Sequence, residues 1–142
     1  MIYEEVMALY KKSRLMHYRS LFGNIKERDG SLSATEAFAA DVIFLLGTPT
    51  IKQFSDFLGI SQPNATYKVS NLIAKGYIER LPADKDKRET RVRVCNKYFA
   101  YSGEQAEFIE KAVAAIEAES TKEELEVFER MLARFNSAVD NK

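Results

Sequence analysis

The stretch that decides the fold covers residues 50–76 and reads TIKQFSDFLGISQPNATYKVSNLIAKG. Thr50 and Gln53 form the T-x-x-Q pattern of a capping box, so a helix is predicted to begin directly after Thr50. Gly59 permits the left-handed backbone conformation that ends many helices, and this first helix should end there. Its apolar stripe is predicted to comprise Ile51, Phe54, Phe57 and Leu58.

A second helix is predicted from Gln62 to Gly76. Ser61 is a good N-cap and Pro63 fits only the first turn of a helix, so the start of this helix is well marked. Its apolar residues fall at helical spacing and form one stripe: Ala65, Val69, Leu72 and Ile73. The two short helices are joined by a tight turn, which predicts a helix-turn-helix.

The other faces of the second helix are polar. They carry amide, hydroxyl and basic groups, which suit the edges of bases and the phosphates of DNA. The residues concerned are Gln62, Asn64, Thr66, Tyr67, Lys68 and Lys75. An ordinary solvated helix carries similar residues, so this helix alone leaves the choice between a DNA-binding face and a solvated face open.

After Gly76 the apolar residues recur with a period of two. Residues 77–81 and 90–94 are predicted to be short strands of a hairpin, with Val92 and Val94 on the same face. The connecting loop carries three cations, Lys85, Lys87 and Arg88. Such loops are usually solvated, but a long basic hairpin loop that follows a helix-turn-helix is typical of a wing that contacts DNA.

The charge distribution supports this interpretation. The 142 residues include 21 basic and 21 acidic side chains, and the composition, 46% hydrophobic and 30% charged, is that of one globular domain. Residues 48–94 carry nine basic and five acidic side chains, whereas residues 95–142 carry six basic and ten acidic ones. The middle of the chain can therefore attract phosphates although the net charge is zero.

Several classes of function are disfavoured by composition. A single cysteine, Cys95, excludes an intramolecular disulfide, and with the single His17 it leaves too few ligands for a usual zinc site. No apolar run approaches the roughly 18 to 20 residues of a membrane span, and no signal peptide is recognisable. No phosphate-binding glycine loop or nucleophile–base set suggests an enzyme. We expect a cytoplasmic, non-enzymatic protein without a metal or cofactor.

Helices are predicted on both sides of this module. Residues 2–22 form an amphipathic pattern, and Ser33 with Glu36 makes a capping box before AFAADVIFLL. The helix that begins after Ser33 is apolar on most sides and is predicted to be the central core helix. The apolar residues concerned are Phe38, Ala39, Val42, Ile43, Leu45 and Leu46.

The rest of the chain is predicted to be helical. One long helix should cover residues 98–119, and Thr121 with Glu124 makes a third capping box that starts a last helix to about residue 139. Its apolar residues are spaced by three and four, as in a heptad: Leu125, Phe128, Leu132, Phe135 and Val139. Helices at both chain ends favour a dimer interface over packing on their own domain, although both remain open.

With this order of elements the chain resembles the MarR family of bacterial transcriptional regulators. The most specific part is LGISQPNATYKVSNLIAKGYIERLPADKDKRETRVRV, in which residues 76–80 match the family's entry to the first wing strand and Asp86 and Arg88 match its D-x-R wing motif. The resemblance implies a mainly α fold with a small β-hairpin. It makes residues 1–142 a single domain, with residues 33–94 as the winged helix-turn-helix and residues 1–22 and 98–139 as dimerisation helices.

The resemblance also implies a homodimer on a pseudo-palindromic operator in double-stranded DNA, acting as a repressor that a small molecule or a stress signal releases. The recognition helix would contact DNA through Ser61, Gln62, Pro63, Asn64, Thr66, Tyr67 and Lys68. The wing would do so through Lys85, Asp86, Lys87 and Arg88, with Asp86 pairing with Arg88. Asn64 and Gln62 suit adenine, and Thr66 suits a thymine methyl group.

Two features depart from the family's pattern. Tyr67 stands where the family often has arginine, and residues 94–98, VCNKY, replace the more usual leucine-threonine run after the second wing strand. The recognition of guanine and the way the wing joins the following helix are therefore expected to differ.

Two sites for a signal are suggested. One set of aromatic, methionine and histidine residues has two interpretations. It could line a pocket for a small lipophilic or phenolic effector, or it could be ordinary core packing. The residues are Tyr10, Met16, His17, Phe38 and Tyr101. His17 suits a partly buried, hydrogen-bonded role better than pH sensing. Cys95 suits a buried structural role better than redox sensing.

A second function from another class also fits the sequence. The winged helix could be a protein–protein interaction adaptor that has no sequence-specific DNA binding, its basic face meeting an acidic partner. Affinity for duplex DNA at low salt distinguishes the two hypotheses.

Overall fold

The computed structural model describes residues 1–24, 32–82, 89–102 and 107–140. The helices and strands are α1 (Ile2–Asn24), α2 (Ala34–Leu46), α3 (Ile51–Leu58), α4 (Gln62–Ala74), β1 (Ile78–Arg80), β2 (Val92–Val94), α5 (Asn96–Ser102), α6 (Glu107–Glu119) and α7 (Lys122–Asp140). Contacts divide the chain into two compact units, Met1–Gly103 and Glu104–Lys142. The fold is mainly α with one small β-hairpin, as the sequence predicts.

The predicted capping boxes are present. At the start of α3, the Thr50 hydroxyl accepts from the backbone N–H of Gln53 at 3.0 Å, and the Gln53 side chain accepts from the N–H of Thr50 at 2.9 Å. Ser33 and Glu36 make the same pair of bonds at the start of α2, as Thr121 and Glu124 do before α7. Three helix starts are therefore fixed by four-residue patterns in the sequence.

The turn of the helix-turn-helix also follows from local residue types. Gly59 has φ 67° and ψ 32°, the left-handed conformation predicted for it. The backbone N–H of Ile60 donates to the carbonyl of Ser55 at 3.1 Å, which closes the end of α3. Ser61 then caps α4, its hydroxyl accepting from the N–H of Asn64 at 3.2 Å.

The core of the first unit lies where α2, α3, α4 and the hairpin meet. Its largest fully buried side chains are Phe54, Leu32, Ile43, Leu72, Ile78, Val69 and Val92. The predicted role of α2 is confirmed on one face, which buries Ala37, Ala39, Ala40 and Ile43.

Four side chains predicted to be core are exposed. Phe38, Leu45 and Leu46 of α2 are 45%, 73% and 40% exposed, and Phe57 of α3 is 64% exposed. Hydrophobic spacing identified them as core, but a helix in a small unit can bury only one face against its neighbours. These side chains remain as apolar surface.

The hairpin is antiparallel, with Ile78 opposite Val94 and Arg80 opposite Val92. Each strand has three residues instead of the five predicted. The segment before α3 lies beside β2, because the N–H of Val92 donates to the carbonyl of Pro49 at 3.0 Å and Thr50 forms a bridge with Arg91. The hairpin is thereby attached to the start of the helix-turn-helix.

The predicted long helix from Tyr98 to Glu119 begins earlier than expected. Helix α5 starts at Asn96, directly after β2, and α6 starts at Glu107; the predicted continuity across residues 103–106 lies outside the described residues. The backbone carbonyl of Cys95 accepts from the N–H of Tyr98 at 3.0 Å, which forms the first turn two residues before the predicted start.

The second unit contains α6 and α7, and neither helix has a buried residue within the unit. The predicted seam of α7 is present as an apolar face, with Phe128 53% and Leu132 45% exposed. Among the described helices, none is both long enough and apolar enough to cross a membrane.

Candidate nucleic-acid interface

Helix α4 is fixed in rotation by its buried stripe. Ala65, Val69 and Leu72 have no exposed surface, which turns the opposite side of the helix outward. Six of the seven residues predicted for the recognition helix are exposed and Lys68 is half-buried: the exposed ones are Ser61, Gln62, Pro63, Asn64, Thr66 and Tyr67. The structure therefore places the predicted set close together around the N-terminal half of α4, where all but Lys68 are exposed.

Two hydroxyl groups on this surface are engaged within the helix. The Ser61 hydroxyl serves as the N-cap, and the Thr66 hydroxyl donates to the carbonyl of Gln62 at 2.9 Å. Because its hydroxyl is turned to the backbone, Thr66 offers its methyl group to a partner. This geometry suits contact with a thymine methyl group.

An open groove of about 730 Å³ lies beside the N-terminal end of α4. Its lining comes from the start of α3, the start of α4 and the segment before β2, and comprises Thr50, Ile51, Lys52, Gln62, Pro63, Thr66, Glu89 and Thr90. A smaller pocket of about 220 Å³ lies on another side of α4, where Tyr67 and Lys68 meet Ser33 and Thr35 of the α2 N-terminus. Polar side chains thus take part in the lining on both sides of α4.

Several basic residues of the module are paired with carboxylates. Lys52 lies 3.1 Å from Asp56. The guanidinium of Arg93 lies 2.6 Å from Glu79 across the hairpin. These pairs are exposed to solvent and contribute little to stability, but they reduce the positive charge available to a phosphate.

Lys68 and Arg80 differ from these residues. Neither forms an ion pair with a carboxylate in the part of the chain that the structure describes. Lys68 extends from α4, and Arg80 is exposed at the end of β1. Their charges remain available to phosphates. Arg80 was not among the predicted contacts, although it stands in the GYIER motif used to recognise the strand.

The base of the wing is held by Arg91. Its guanidinium donates to the carbonyl of Thr48 at 2.9 Å and lies 3.9 Å from the Glu89 carboxylate. The predicted wing contacts Lys85, Asp86, Lys87 and Arg88 fall in 83–88, outside the described ranges. The described residues therefore place only the base of the wing, next to α3.

The C-terminal end of α4 has two long-range contacts that the sequence did not reveal. The Lys75 ammonium donates to Glu36 of α2 at 2.8 Å. The backbone carbonyl of Lys75 accepts a hydrogen bond at 2.7 Å from the ammonium of Lys97 in α5. The partners lie 39 and 22 positions apart, so no short motif could indicate them. Lys97 belongs to the VCNKY segment in which the chain departs from the family's pattern.

Glu36 is charged in this arrangement. Burial penalises its carboxylate, but hydrogen bonds from Lys75 and Ser33 and the charge of Lys75 outweigh that penalty and hold the pKa of Glu36 below its ordinary value. The same carboxylate completes the capping box of α2. It therefore joins the start of α2 to the end of α4.

The predicted effector residues are only partly placed. Tyr10, Met16 and Phe38 are 50%, 40% and 45% exposed, and the side chain of Tyr101 is outside the described part. Nδ1 of His17 lies 3.8 Å from the Asp41 carboxylate, whose other oxygen accepts from the hydroxyl of Tyr98 at 2.7 Å. The structure confirms that His17 is partly buried.

Cys95 is also partly buried. Burial raises the pKa of its thiol, and the negative charge of Glu79 adds to the effect, against a smaller opposing influence of Arg93. A raised pKa leaves less of the reactive thiolate at neutral pH, which fits a structural role. Over the described ranges, no cluster of three or more His, Cys, Asp or Glu side chains could hold a metal ion.

The comparisons with known proteins agree with this geometry. The model of the MarR family matches residues 42–89, which include the helix-turn-helix and β1. None of the curated proteins compared with the chain matches it significantly.

Solved structures match over nearly the whole chain. FabT of Streptococcus pneumoniae in complex with DNA has a TM-score of 0.57 and 22% identity, over 99% of this chain and 96% of that one. A point mutant of MepR from a multidrug-resistant clinical isolate of S. aureus has a TM-score of 0.61 and 11% identity, over 98% and 97%. A point mutant of MarR from E. coli, complexed with operator DNA, has a TM-score of 0.52 and 19% identity, over 92% and 93%.

At these identities the likeness to solved structures establishes the fold, which is that of a winged helix-turn-helix protein. Together with the family match, it confirms the resemblance to the MarR family, whose members are non-enzymatic, DNA-binding transcriptional regulators.

Proposed function

We propose that this chain is a sequence-specific, double-stranded DNA-binding transcriptional regulator. The observation that carries the proposal is the outward face of α4, where the predicted recognition residues are accessible while Ala65, Val69 and Leu72 on the opposite side are fully buried. A helix held this way can enter the major groove, in which each base pair presents a distinct set of donors and acceptors. The FabT structure in complex with DNA and the MarR structure complexed with operator DNA support the same partner.

Roles follow from the side chains. Gln62 and Asn64 lie in the first turn of α4, where their amides suit the N6 and N7 positions of adenine. Lys68 and Arg80, without carboxylate partners among the described residues, neutralise phosphates. The cations of residues 85–88 extend the contact along the backbone or into the minor groove.

The active form is proposed to be a homodimer of a single MarR-like domain. Residues 33–94 are the winged helix-turn-helix, and residues 1–22 and 98–139 are the dimerisation helices. Support comes from the apolar faces of these helices, since Leu15 of α1 is 70% exposed and Val139 of α7 is 58% exposed. Large exposed apolar surfaces mark interaction sites. A dimer would place two recognition helices roughly 34–36 Å apart on a pseudo-palindromic operator.

The regulator is proposed to act in the cytoplasm as a repressor that a small lipophilic or phenolic molecule, or a stress signal, releases from DNA. Residues near His17 and Phe38 are the proposed effector region. Their position is consistent with a link to DNA binding, because Asp41 of α2 lies near both His17 of α1 and Tyr98 of α5.

The test begins with selection of bound duplexes from a random library by the purified protein, followed by competition against unrelated DNA. We expect a consensus with two-fold symmetry. Asn64→Ala should bind it about 5- to 100-fold more weakly and lose preference at one base position in each half-site, because a bidentate base contact is worth about 1–3 kcal/mol.

Ser70→Ala is the matched control, since Ser70 is exposed on the same helix but lies outside the predicted set. Binding that ignores sequence would contradict the proposal. A complete lack of duplex affinity at low salt would instead favour the interaction adaptor.

A further inference from the structure

The end of the recognition helix carries a hydrogen bond from a lysine of another helix. Helix α4 ends at Ala74, with Lys75 as its C-cap and Gly76 at φ 82°. The last carbonyls of a helix lack partners within it and form the negative end of its dipole. The carbonyl of Lys75 finds its partner in Lys97, whose ammonium donates to it at 2.7 Å.

The position of Lys97 in its own helix indicates that its charge stabilises the end of α4 and not α5. Lys97 is the second residue of α5, and a cation gains nothing at the positive end of a helix dipole. It gains instead from the negative end of α4. Its ammonium also lies 4.5 Å from the centre of the Tyr77 ring, within the range of a cation–π interaction.

The segment that carries Lys97 is itself fixed. The N–H of Cys95 donates to the carbonyl of Tyr77 at 2.9 Å. Tyr98, 2% exposed, donates its hydroxyl to Asp41 of α2 at 2.7 Å. Lys97 therefore lies between two residues that are hydrogen-bonded to the rest of the unit, and its own hydrogen bond can hold the end of α4 in place.

We propose that Lys97 is a positioning residue for DNA binding: from α5 it anchors the C-terminal end of the recognition helix and so sets how the helix lies in the major groove. This inference rests on the proposed function. The N-terminal end of α4 is fixed by the Ser61 cap and the middle by its buried stripe. At the remaining end, next to the buried Tyr77, Lys97 and the Lys75–Glu36 pair add side-chain contacts from α5 and α2. A shift of α5 would be transmitted to the recognition helix through this bond.

The test uses Lys97→Met, which keeps much of the side-chain stem and removes the donor and the charge. Lys97→Arg keeps the donor and the cation and should restore wild-type behaviour. Lys68→Met removes a proposed phosphate contact, and Lys111→Met removes an exposed lysine of α6. Affinity for the selected duplex and for unrelated DNA is measured over a range of salt concentrations, after circular dichroism has shown each variant to be folded.

Lys97→Met should weaken specific binding about fivefold to tenfold, leave binding to unrelated DNA unchanged, and leave the slope of log affinity against log salt as in the wild type. Lys68→Met should lower the magnitude of that slope by about 0.9, the value for one phosphate contact. Lys111→Met should change neither quantity. If Lys97→Met changed the slope as Lys68→Met does, Lys97 would contact a phosphate directly and the proposal would be overturned. It would also be overturned if Lys97→Met bound the selected duplex as tightly as the wild type, or if Lys97→Arg did not restore wild-type binding.

A second measurement does not depend on DNA. The N–H groups of Gly76 and Tyr77 donate to the carbonyls of Ile73 and Leu72, both at 3.0 Å. Their hydrogen exchange should be at least about threefold faster in Lys97→Met, while the amide of Val69 in the middle of α4 exchanges as before. If the exchange rates of the Gly76 and Tyr77 amides are unchanged in Lys97→Met, Lys97 does not anchor the end of α4 and the proposal is overturned. If the wild type selects no DNA sequence, the proposed function fails, and the exchange rates still decide whether Lys97 holds the helix end.

Discussion

Gly59 shows how one residue sets the geometry of the helix-turn-helix. Its φ of 67° lies in the left-handed region, and a Cβ built on it would meet nothing within 4 Å. Any cost of substitution therefore comes from the backbone conformation, because there is no steric clash with neighbours. The chain turns from α3 to α4 at this residue.

Gly59→Ala is expected to destabilise the protein by about 1–2 kcal/mol, the cost of the left-handed conformation for a residue with a Cβ. Gly59→Asn should cost less, because asparagine tolerates this conformation better. Urea denaturation of the full chain measures both. Equal stability of the alanine variant and the wild type would show that the turn relaxes to another conformation. Ser70→Ala serves as the exposed control.

Local signals at the scale of residues predicted this region well. The caps at Ser33, Thr50 and Ser61 and the turn at Gly59 each depend on residues within four positions of one another, so their patterns can be read directly. Lys97 shows the opposite case, since its partner lies 22 positions earlier and its own helix gives no reason for a cation. Nothing in the adjacent sequence distinguishes Lys97 from an ordinary surface lysine.

At the scale of elements, Glu36 joins α2 to α4. Its side chain and that of Lys75 are 21% and 31% exposed, so the pair is partly shielded from water. The pKa of Glu36 is lower in the folded protein than its ordinary value. A carboxylate with a lowered pKa stabilises the fold above its unfolded pKa, and this stabilisation is lost as the pH falls through the folded value.

We therefore expect the difference in free energy of unfolding between the wild type and Glu36→Gln to be largest near neutral pH and to shrink below about pH 4.5. Glutamine can keep the capping box but not the charge. Denaturation by urea at pH 7, 5 and 3.5 tests this. Lys75→Met should show the same pH dependence of its difference from the wild type. A difference that is constant over this range would mean that the Glu36 charge contributes no stability.

Hydrophobic periodicity predicted each of these helices, but it does not indicate what packs against the apolar face of each helix. Phe38 and Phe57 were predicted to be core and are exposed, whereas the seam of α7 was predicted to be an interface and is exposed within its unit. All three have the same spacing of three and four residues. The sequence contains no signal that separates a core face from an interface face, because both are driven by burial of apolar area.

At the scale of the whole molecule, the apolar face of α7 predicts the assembly. Leu132 is 45% exposed and lies between Phe128 and Phe135 on that face. Leu132→Glu should disrupt the proposed dimer because it places a charge in the centre of a buried interface. Glu129→Gln, at an exposed site on the same helix, is the matched control.

Sedimentation velocity should show a dimer for the wild type and the control, and a monomer for Leu132→Glu. Affinity for the full two-fold site should fall about 100-fold or more in the monomer, since two linked contacts bind more tightly than one. If Leu132→Glu remains dimeric, α7 is not the interface. If it is monomeric and binds the full site as before, one recognition helix suffices.

The attachment of the hairpin to Pro49 and Thr50 has a consequence for folding. The N–H of Val92 pairs with the carbonyl of Pro49, and the N–H of Ile51 pairs with the carbonyl of Thr90, which joins positions about 40 residues apart. Closing so long a loop costs entropy before these bonds can form, and that cost slows folding relative to a bundle with local contacts alone. The attachment of the hairpin to the start of the helix-turn-helix should therefore form late in folding, after the local helices, and a nascent chain that ends before β2 should lack it.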